Sequence, residues 1–279
     1  MNENEDGGPR RVPGQGPGAA DAAPAGAAET APGPRARGMV YTRFLKRFHA
    51  HAEVDWYLEI GCRTGATFAP ARARTIAVDP YFRVDSNVIG AKRALHLFQT
   101  TSDDFFASGF LEANRIEVSF AFIDGMHLVE YALRDFINLE RHMTPRSAIA
   151  IHDVCPWTEA MTTRDLERVP RGAWTGDVWK LIPILQRHRP DLRLTVLDCA
   201  PTGLLVVTGL DPANRSLADA YDGIVAEHAG QDIAAHGMER FYGSFDFTAA
   251  APVARGGFAL LGQVPRAADP AVRPVRITP

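Results

Sequence analysis

Two short segments hold most of the side chains able to do acid–base or metal chemistry. Phe122-Ile123-Asp124-Gly125-Met126-His127 completes one apolar run, and Ile149-Ala150-Ile151-His152-Asp153 closes another. Runs of strand length deliver such groups to the carboxyl edge of a sheet, where open α/β folds bind ligands. Asp124, His127, His152 and Asp153 are therefore the candidate catalytic set. A carboxylate cluster with a histidine can hold a divalent ion, whose charge acidifies a bound hydroxyl. The same cluster can instead take a proton from an acceptor, with a histidine poised near neutral pH. A plainer reading stands beside each: Asp124 as a helix cap, His127 bonded to backbone, His152-Asp153 as a hydrogen-bonded turn.

A second cluster lies upstream. Glu59 precedes the turn Gly61-Cys62-Arg63-Thr64-Gly65, and Asp79 ends the next apolar run. Glycine at a strand end permits a tight turn, and a further glycine lets a ligand lie against bare main chain. An acidic residue ending the following strand can accept hydrogen bonds from both hydroxyls of a ribose. The alternative is an ordinary loop carboxylate before Pro80. The turn is not GxGxxG, so a nucleoside without a pyrophosphate suits it better than a dinucleotide.

The apolar runs supply the scaffold. Strands are predicted at 57–60, 75–78, near 95–99, and at 118–123, 148–151, 192–197 and 204–208. Apolar strands without polar alternation belong to a parallel sheet covered on both faces. Helices are predicted at 41–52, 103–114, 127–142, 177–188 and within 216–241. The short link 199–203 cannot hold a crossover helix and favours an antiparallel hairpin. On the helix from His127, that residue, Tyr131 and Asp135 share one face. Val129, Leu133, Phe136 and Leu139 form the face that packs on the sheet.

With 46% apolar and 23% charged residues the chain reads as an ordinary globular protein. A net charge of -3 gives no reason to expect a nucleic-acid partner. Three dispersed cysteines without a CxxC pair fit a reducing compartment. No run is long enough to span a membrane, and the N-terminus lacks a basic segment followed by an apolar one. Cytoplasm is the expected location. Residues 1–38, rich in Gly, Pro and Ala, are expected to form a disordered tail. Residues 39–215 are expected to form one domain, with 216–279 as a helical extension and irregular tail packed on it.

Glu59, the glycine turn and Asp79 resemble the class I S-adenosylmethionine-dependent methyltransferases, a likeness that covers about residues 54–215. It implies a Rossmann-like α/β fold: a mostly parallel seven-stranded sheet with an antiparallel terminal hairpin and helices on both faces. It also places S-adenosylmethionine on Glu59, Gly61, Cys62, Arg63, Gly65 and Asp79. Ser102 and Asp103 would stand beside the adenine, and Asp124 at the reacting end. Ser102-Asp103 is equally a helix N-cap pair.

The stretch 118–153 is similar to one branch of that family, marked by Ile-Asp-Gly-x-His, a helix bearing Tyr and Asp, and a terminal His-Asp. Here these residues are Asp124, Gly125, His127, Tyr131, Asp135, His152 and Asp153. The branch is related to O-methyltransferases of sugars and natural products, some needing magnesium. The resemblance implies methylation of a hydroxyl on a small-molecule or sugar acceptor, with Mg2+ or another divalent metal as a candidate cofactor on Asp124, His152 and Asp153. A homo-oligomer is compatible with it.

Three departures stand out. His152 is a poor magnesium donor, which favours a softer ion or a base. Residues 143–147 lack the usual Pro-Gly-Gly, and 81–93 reads poorly as the usual helix. Asp135 is expected to fasten its helix to a neighbouring Arg or Lys. The segment 155–175, with Trp157, Arg164 and Trp174, either covers the acceptor or is a surface excursion pinned by its tryptophans. The rival functions are a metal-dependent hydroxylase or hydrolase on the same scaffold, and a non-catalytic binding protein.

Overall fold

The apolar run 118–123 becomes strand β4 (Val118–Ile123), in which every residue is buried. The computed structural model describes residues 32–267 and sets β4 in the middle of an eight-stranded sheet. The other strands are β1 (Trp56–Ile60), β2 (Arg74–Val78), β3 (Leu95–Phe98), β5 (Met143–His152), β6 (Arg193–Leu197), β7 (Leu204–Thr208) and β8 (Phe247–Thr248). Their order is β3-β2-β1-β4-β5-β7-β6-β8. Strands β3, β2, β1, β4 and β5 are mutually parallel. β7 is antiparallel to both β5 and β6, so the short link does close a hairpin.

The sheet differs from the expected seven strands by one. β8, from the C-terminal extension, adds to β6 in parallel. A two-residue strand carries no apolar period by which the sequence could announce it.

Parity along the strands sorts the core into two layers. Leu58, Ile60, Ala121, Ile123, Ile149 and Ile151 face one side, where α4 (Val129–Glu140) and α5 (Leu181–His188) pack. Tyr57, Phe120, Phe122, Ala148 and Ala150 face the other, where Phe44, Leu45 and Phe48 of α1 (Tyr41–His51) and Phe258 cover them. The result is a Rossmann-like α/β sandwich with a mixed sheet. Between β3 and β4 stand α2 (Ser102–Ala107) and α3 (Phe110–Ala113). The extension forms α6 (Ser216–Asp219), α7 (Tyr221–His228), α8 (Ile233–His236), α9 (Met238–Tyr242) and α10 (Ala250–Arg255).

Several helix bounds shift from those expected, and 81–93 holds no helix, as expected. The helix expected from His127 starts at Val129, because His127 takes a left-handed backbone with φ 58°. Between β2 and β3 no helix forms; the chain turns about Asn87, whose Oδ1 accepts from the amides of Ile89 and Gly90. Residues 1–31 of the expected tail lie outside the described residues, as do 268–279. Within 32–38, Gly33 donates to the Trp157 carbonyl, Gly38 donates to the Asp198 carbonyl, and Ala36 is buried. No helix among the described residues is long and apolar enough to cross a membrane.

One buried ion pair ties α4 to the end of α5. Arg189, 1% exposed, forms two bonds to Glu140 at 2.6 and 2.9 Å. Glu140 in turn accepts from the Asp211 amide at 3.0 Å. Removing one partner of such a pair leaves an uncompensated charge, a loss of about 3–5 kcal/mol. Arg189→Met should therefore lower the stability measured by urea unfolding by roughly that amount, whereas a loss under about 1 kcal/mol would refute this role.

Candidate active site

The chain crosses from β3 at one edge to β4 beyond β1, so the strand order switches between β1 and β4. Crevices at such switch points take ligands. A cleft of about 430 Å³ opens there, lined by Gly61, Asp79, Ser102, Asp124, His127 and Tyr131 among others. Gly61 makes the strand end fit: with φ 85°, its Cβ would stand 2.0 Å from the Asp124 carbonyl oxygen. Only glycine lets the β1 turn lie on the β4 end this closely.

Asp79 is held on one wall. Its Oδ2 accepts from the Arg63 amide at 2.7 Å and its Oδ1 from the Tyr81 amide at 2.6 Å. Each oxygen keeps a further lone pair for a ligand hydroxyl. Arg63, Ser102 and Asp103 share this cleft. The Asp103 carboxylate, however, is gripped by Arg134 at 2.6 Å through both oxygens. The helix there is capped by Thr101, whose side chain accepts from the Asp104 amide. Ser102 thus begins the helix and does not cap it.

Glu59, Cys62 and Gly65 are not among the cleft's lining residues. Glu59 shares the strand face of Tyr57 and is fully buried beneath the turn. Tyr57 Oη donates to it at 2.6 Å, and Thr67 Oγ1 donates to its other oxygen. The Cys62 thiol donates to the Glu59 carbonyl at 3.2 Å.

At the reacting end the four candidates converge. His127 Nδ1 lies 2.8 Å from Asp153 Oδ2, and His152 Nδ1 lies 3.1 Å from Asp124 Oδ1. Thr202 Oγ1 donates to Asp153 Oδ1 at 2.5 Å. With its proton so committed, Thr202 accepts from His152 Nε2 at 3.1 Å. Both His152 nitrogens then carry hydrogen, the imidazolium form. Burial opposes that charge, but the Asp153 and Asp124 carboxylates outweigh it and raise the His152 pKa to about 10. Burial likewise opposes charge on His127, and Asp153 and Asp124 raise its pKa on balance. Against the burial penalty, the two imidazoles hold the Asp153 carboxyl below the usual range.

His127 differs from His152 in what its second nitrogen meets. Its Nδ1 hydrogen is aimed at Asp153, which leaves Nε2, 4.0 Å from Asp124 Oδ1, as the second nitrogen of a side chain that lines the cleft. Local packing fixes this pose. The His127 carbonyl accepts from the Asp177 amide at 3.0 Å, and a Cβ on Gly176 would stand 1.8 Å from that oxygen. Asp177 Oδ1 also accepts from the Val129 amide at 2.7 Å. Asp177 therefore caps α4 in place of Asp124, whose side chain is left to the cluster.

Three further side chains border the cluster or the cleft. Tyr41 stacks on His152 with ring centroids 3.7 Å apart, and Thr202 reaches that histidine from the hairpin link. Trp174 borders the cleft and donates from Nε1 to the Thr163 carbonyl at 2.8 Å. Asp135 is a correction. It forms no ion pair with Arg or Lys among the described residues; Arg134 beside it takes the ionic role toward Asp103. Asp135 is instead buried in the cleft wall with Oδ1 unpartnered, and burial pushes its pKa up to about 7.

Asp124, His152 and Asp153 each offer one donor, all within 4.8 Å of one another. One imidazole nitrogen and two carboxylates fit a divalent transition ion better than magnesium. An ion bound by all three would replace the hydrogen on His152 Nδ1.

The sequence of residues 58–154 matches a family model described as a methyltransferase domain. The domain has the class I methyltransferase fold. No curated protein matches the chain. Among solved structures it is similar to the methyltransferase MycE of the mycinamycin biosynthetic pathway, in complex with Mg and S-adenosylhomocysteine, at 16% identity and TM-score 0.40. That match covers 62% of this chain and 49% of MycE, about half its length. The O-methyltransferase TomG from Streptomyces achromogenes is similar at 14% identity and TM-score 0.44, over 61% of this chain and 80% of TomG. An O-methyltransferase from Bacillus cereus is similar at 13% identity and TM-score 0.44, over 60% and 80%.

The methyltransferase fold leaves Glu59 as a buried acid beneath the cleft. Burial raises its pKa from 4.5 to about 8, against the bonds from Thr67 and Tyr57. A carboxyl whose folded pKa is raised contributes stability below pH 4.5 and loses it as the pH climbs through about 8. Glu59→Gln should gain thermal stability relative to the parent between pH 5 and 9; a difference independent of pH would contradict the assignment.

Proposed function

We propose that the protein is an S-adenosylmethionine-dependent methyltransferase acting on a hydroxyl of a small molecule or sugar. The observation that carries this reading is the cleft at the switch point, with Asp79 on one wall and the His127–Asp153 pair at the far end. S-adenosylmethionine supplies the methyl group as a sulfonium and becomes a neutral thioether on transfer. Asp79 would hold both ribose hydroxyls, and its bonds from the Arg63 and Tyr81 amides keep it in place. Ser102 and Met126 border the base.

The acceptor hydroxyl lies toward His127 Nε2. Its proton passes to that nitrogen as the oxygen bonds to the methyl carbon, and the electron pair of the breaking bond stays on sulfur. Asp153 fixes the tautomer of His127 and balances the charge it acquires. His152 holds Asp124 and Asp153 in register. A divalent ion on Asp124, His152 and Asp153 would acidify the acceptor hydroxyl. The similar structures named for O-methyltransferases and for Mg agree with an oxygen acceptor and with a metal requirement, respectively. The donor cluster itself favours a second reading, a metal-dependent hydroxylase or hydrolase. That reading predicts tight divalent-ion binding with no nucleoside bound. The chain is proposed to act in the cytoplasm, as a domain at 39–215 with its extension packed on it.

Calorimetric titration with S-adenosylhomocysteine tests the assignment. Binding is expected to weaken at least roughly tenfold in Asp79→Ala and less in Asp79→Asn, since one carboxylate serves two hydroxyls. No binding by the folded parent would remove the cofactor reading. In turnover assays with labelled S-adenosylmethionine and hydroxylated acceptors, His127→Gln should lose about 10²–10⁴-fold in kcat while keeping S-adenosylhomocysteine affinity. Unchanged kcat would exclude His127 as the base.

A further inference from the structure

A second cleft, of about 1020 Å³, lies apart from the methyl-transfer site. The segment 174–177 divides the two, with Trp174 bordering one and Asp177 the other. Its walls come from the stretch after β5, from the turn before α5 and from the link between α7 and α8. All three lie outside the 58–154 family match.

Its polar groups are arranged in a particular way. Lys180 is fully buried and donates to Asp177 Oδ2 at 2.7 Å and to the Ala229 carbonyl at 3.2 Å. One ammonium hydrogen is then left without an acceptor among the described residues. Arg164 bonds Glu130 through both terminal nitrogens and Asp177 through one, which leaves its Nε–H and one terminal hydrogen. Both cations are thus neutralised yet retain donors. Across from them Glu159, Asp232 and Gln231 bring acceptors. The Gln231 amide nitrogen donates to the Glu227 carbonyl, which orients its side chain. Trp179 adds an apolar wall, and its buried indole N–H has no partner.

This balance selects against charged ligands. A phosphate or carboxylate would meet the Glu159 and Asp232 carboxylates, and a cation would meet the remaining N–H donors of Arg164 and Lys180. A hydroxyl both donates and accepts, and so satisfies either kind of wall. We infer that the cleft between 158–164, Lys180 and 230–232 binds a neutral polyhydroxylated ligand of sugar type. The site stands whether or not the cofactor reading does, because no residue lines both clefts. A ligand here touches Asp177, whose amide holds the His127 carbonyl, so occupancy is also coupled to the reacting end.

The test is calorimetric titration of the full chain with methyl β-glucoside, maltose and myo-inositol, with phosphate and glycine as charged probes. At least one neutral polyol should bind saturably, and neither charged probe should bind more tightly. Glu159→Ala and Gln231→Ala, both away from the core, should each weaken that binding about tenfold while thermal unfolding is unchanged. The inference fails if no polyol binds, if phosphate or glycine is preferred, or if both variants bind as the parent does.

Discussion

The structure depends on how a half-buried and a buried carboxylate, Asp124 and Asp153, are held at the ends of β4 and β5. Asp153, 6% exposed and in a left-handed backbone with φ 59°, is neutralised from three sides. His127 and His152 bring hydrogens, and Thr202 adds a hydroxyl. A buried carboxylate without such partners would cost several kcal/mol. Much of the topology serves this arrangement. The antiparallel hairpin delivers Thr202 beside His152, and the turn before α5 delivers Gly176 and Asp177 to fix His127.

The two imidazoles consequently take different parts. His152, with both nitrogens engaged and Tyr41 stacked on its face, is a fixed cation between Asp124 and Asp153. His127 keeps one nitrogen for the cleft. Under the proposed function, this division would let a site with two carboxylates deprotonate a neutral hydroxyl. The base is tuned by one carboxylate, and the other is already balanced.

Much of this was legible in the sequence because parallel strands covered on both faces must be apolar throughout. The seven longer strands and the meeting of Asp124, His127, His152 and Asp153 follow from that alone. The failures have equally specific causes. β8 is too short to show a period, and His127 leaves the helix because its ring turns toward Asp153. Asp135 was assigned a cation on general grounds of burial, yet Arg134, one position away, points toward Asp103. Glu59 shares strand parity with Tyr57, which puts it on the α1 side of the sheet. Thr202 and Tyr41 reach His152 through contacts spanning many residues, and no local pattern encodes those.

A crystal structure of the chain with S-adenosylhomocysteine tests the central claim most directly. The account predicts the ribose hydroxyls on Asp79, the base beside Met126 and Ser102, and the sulfur facing the Asp124–His127 end. A nucleoside bound elsewhere, or a cleft still closed to it at saturating concentration, would contradict the account.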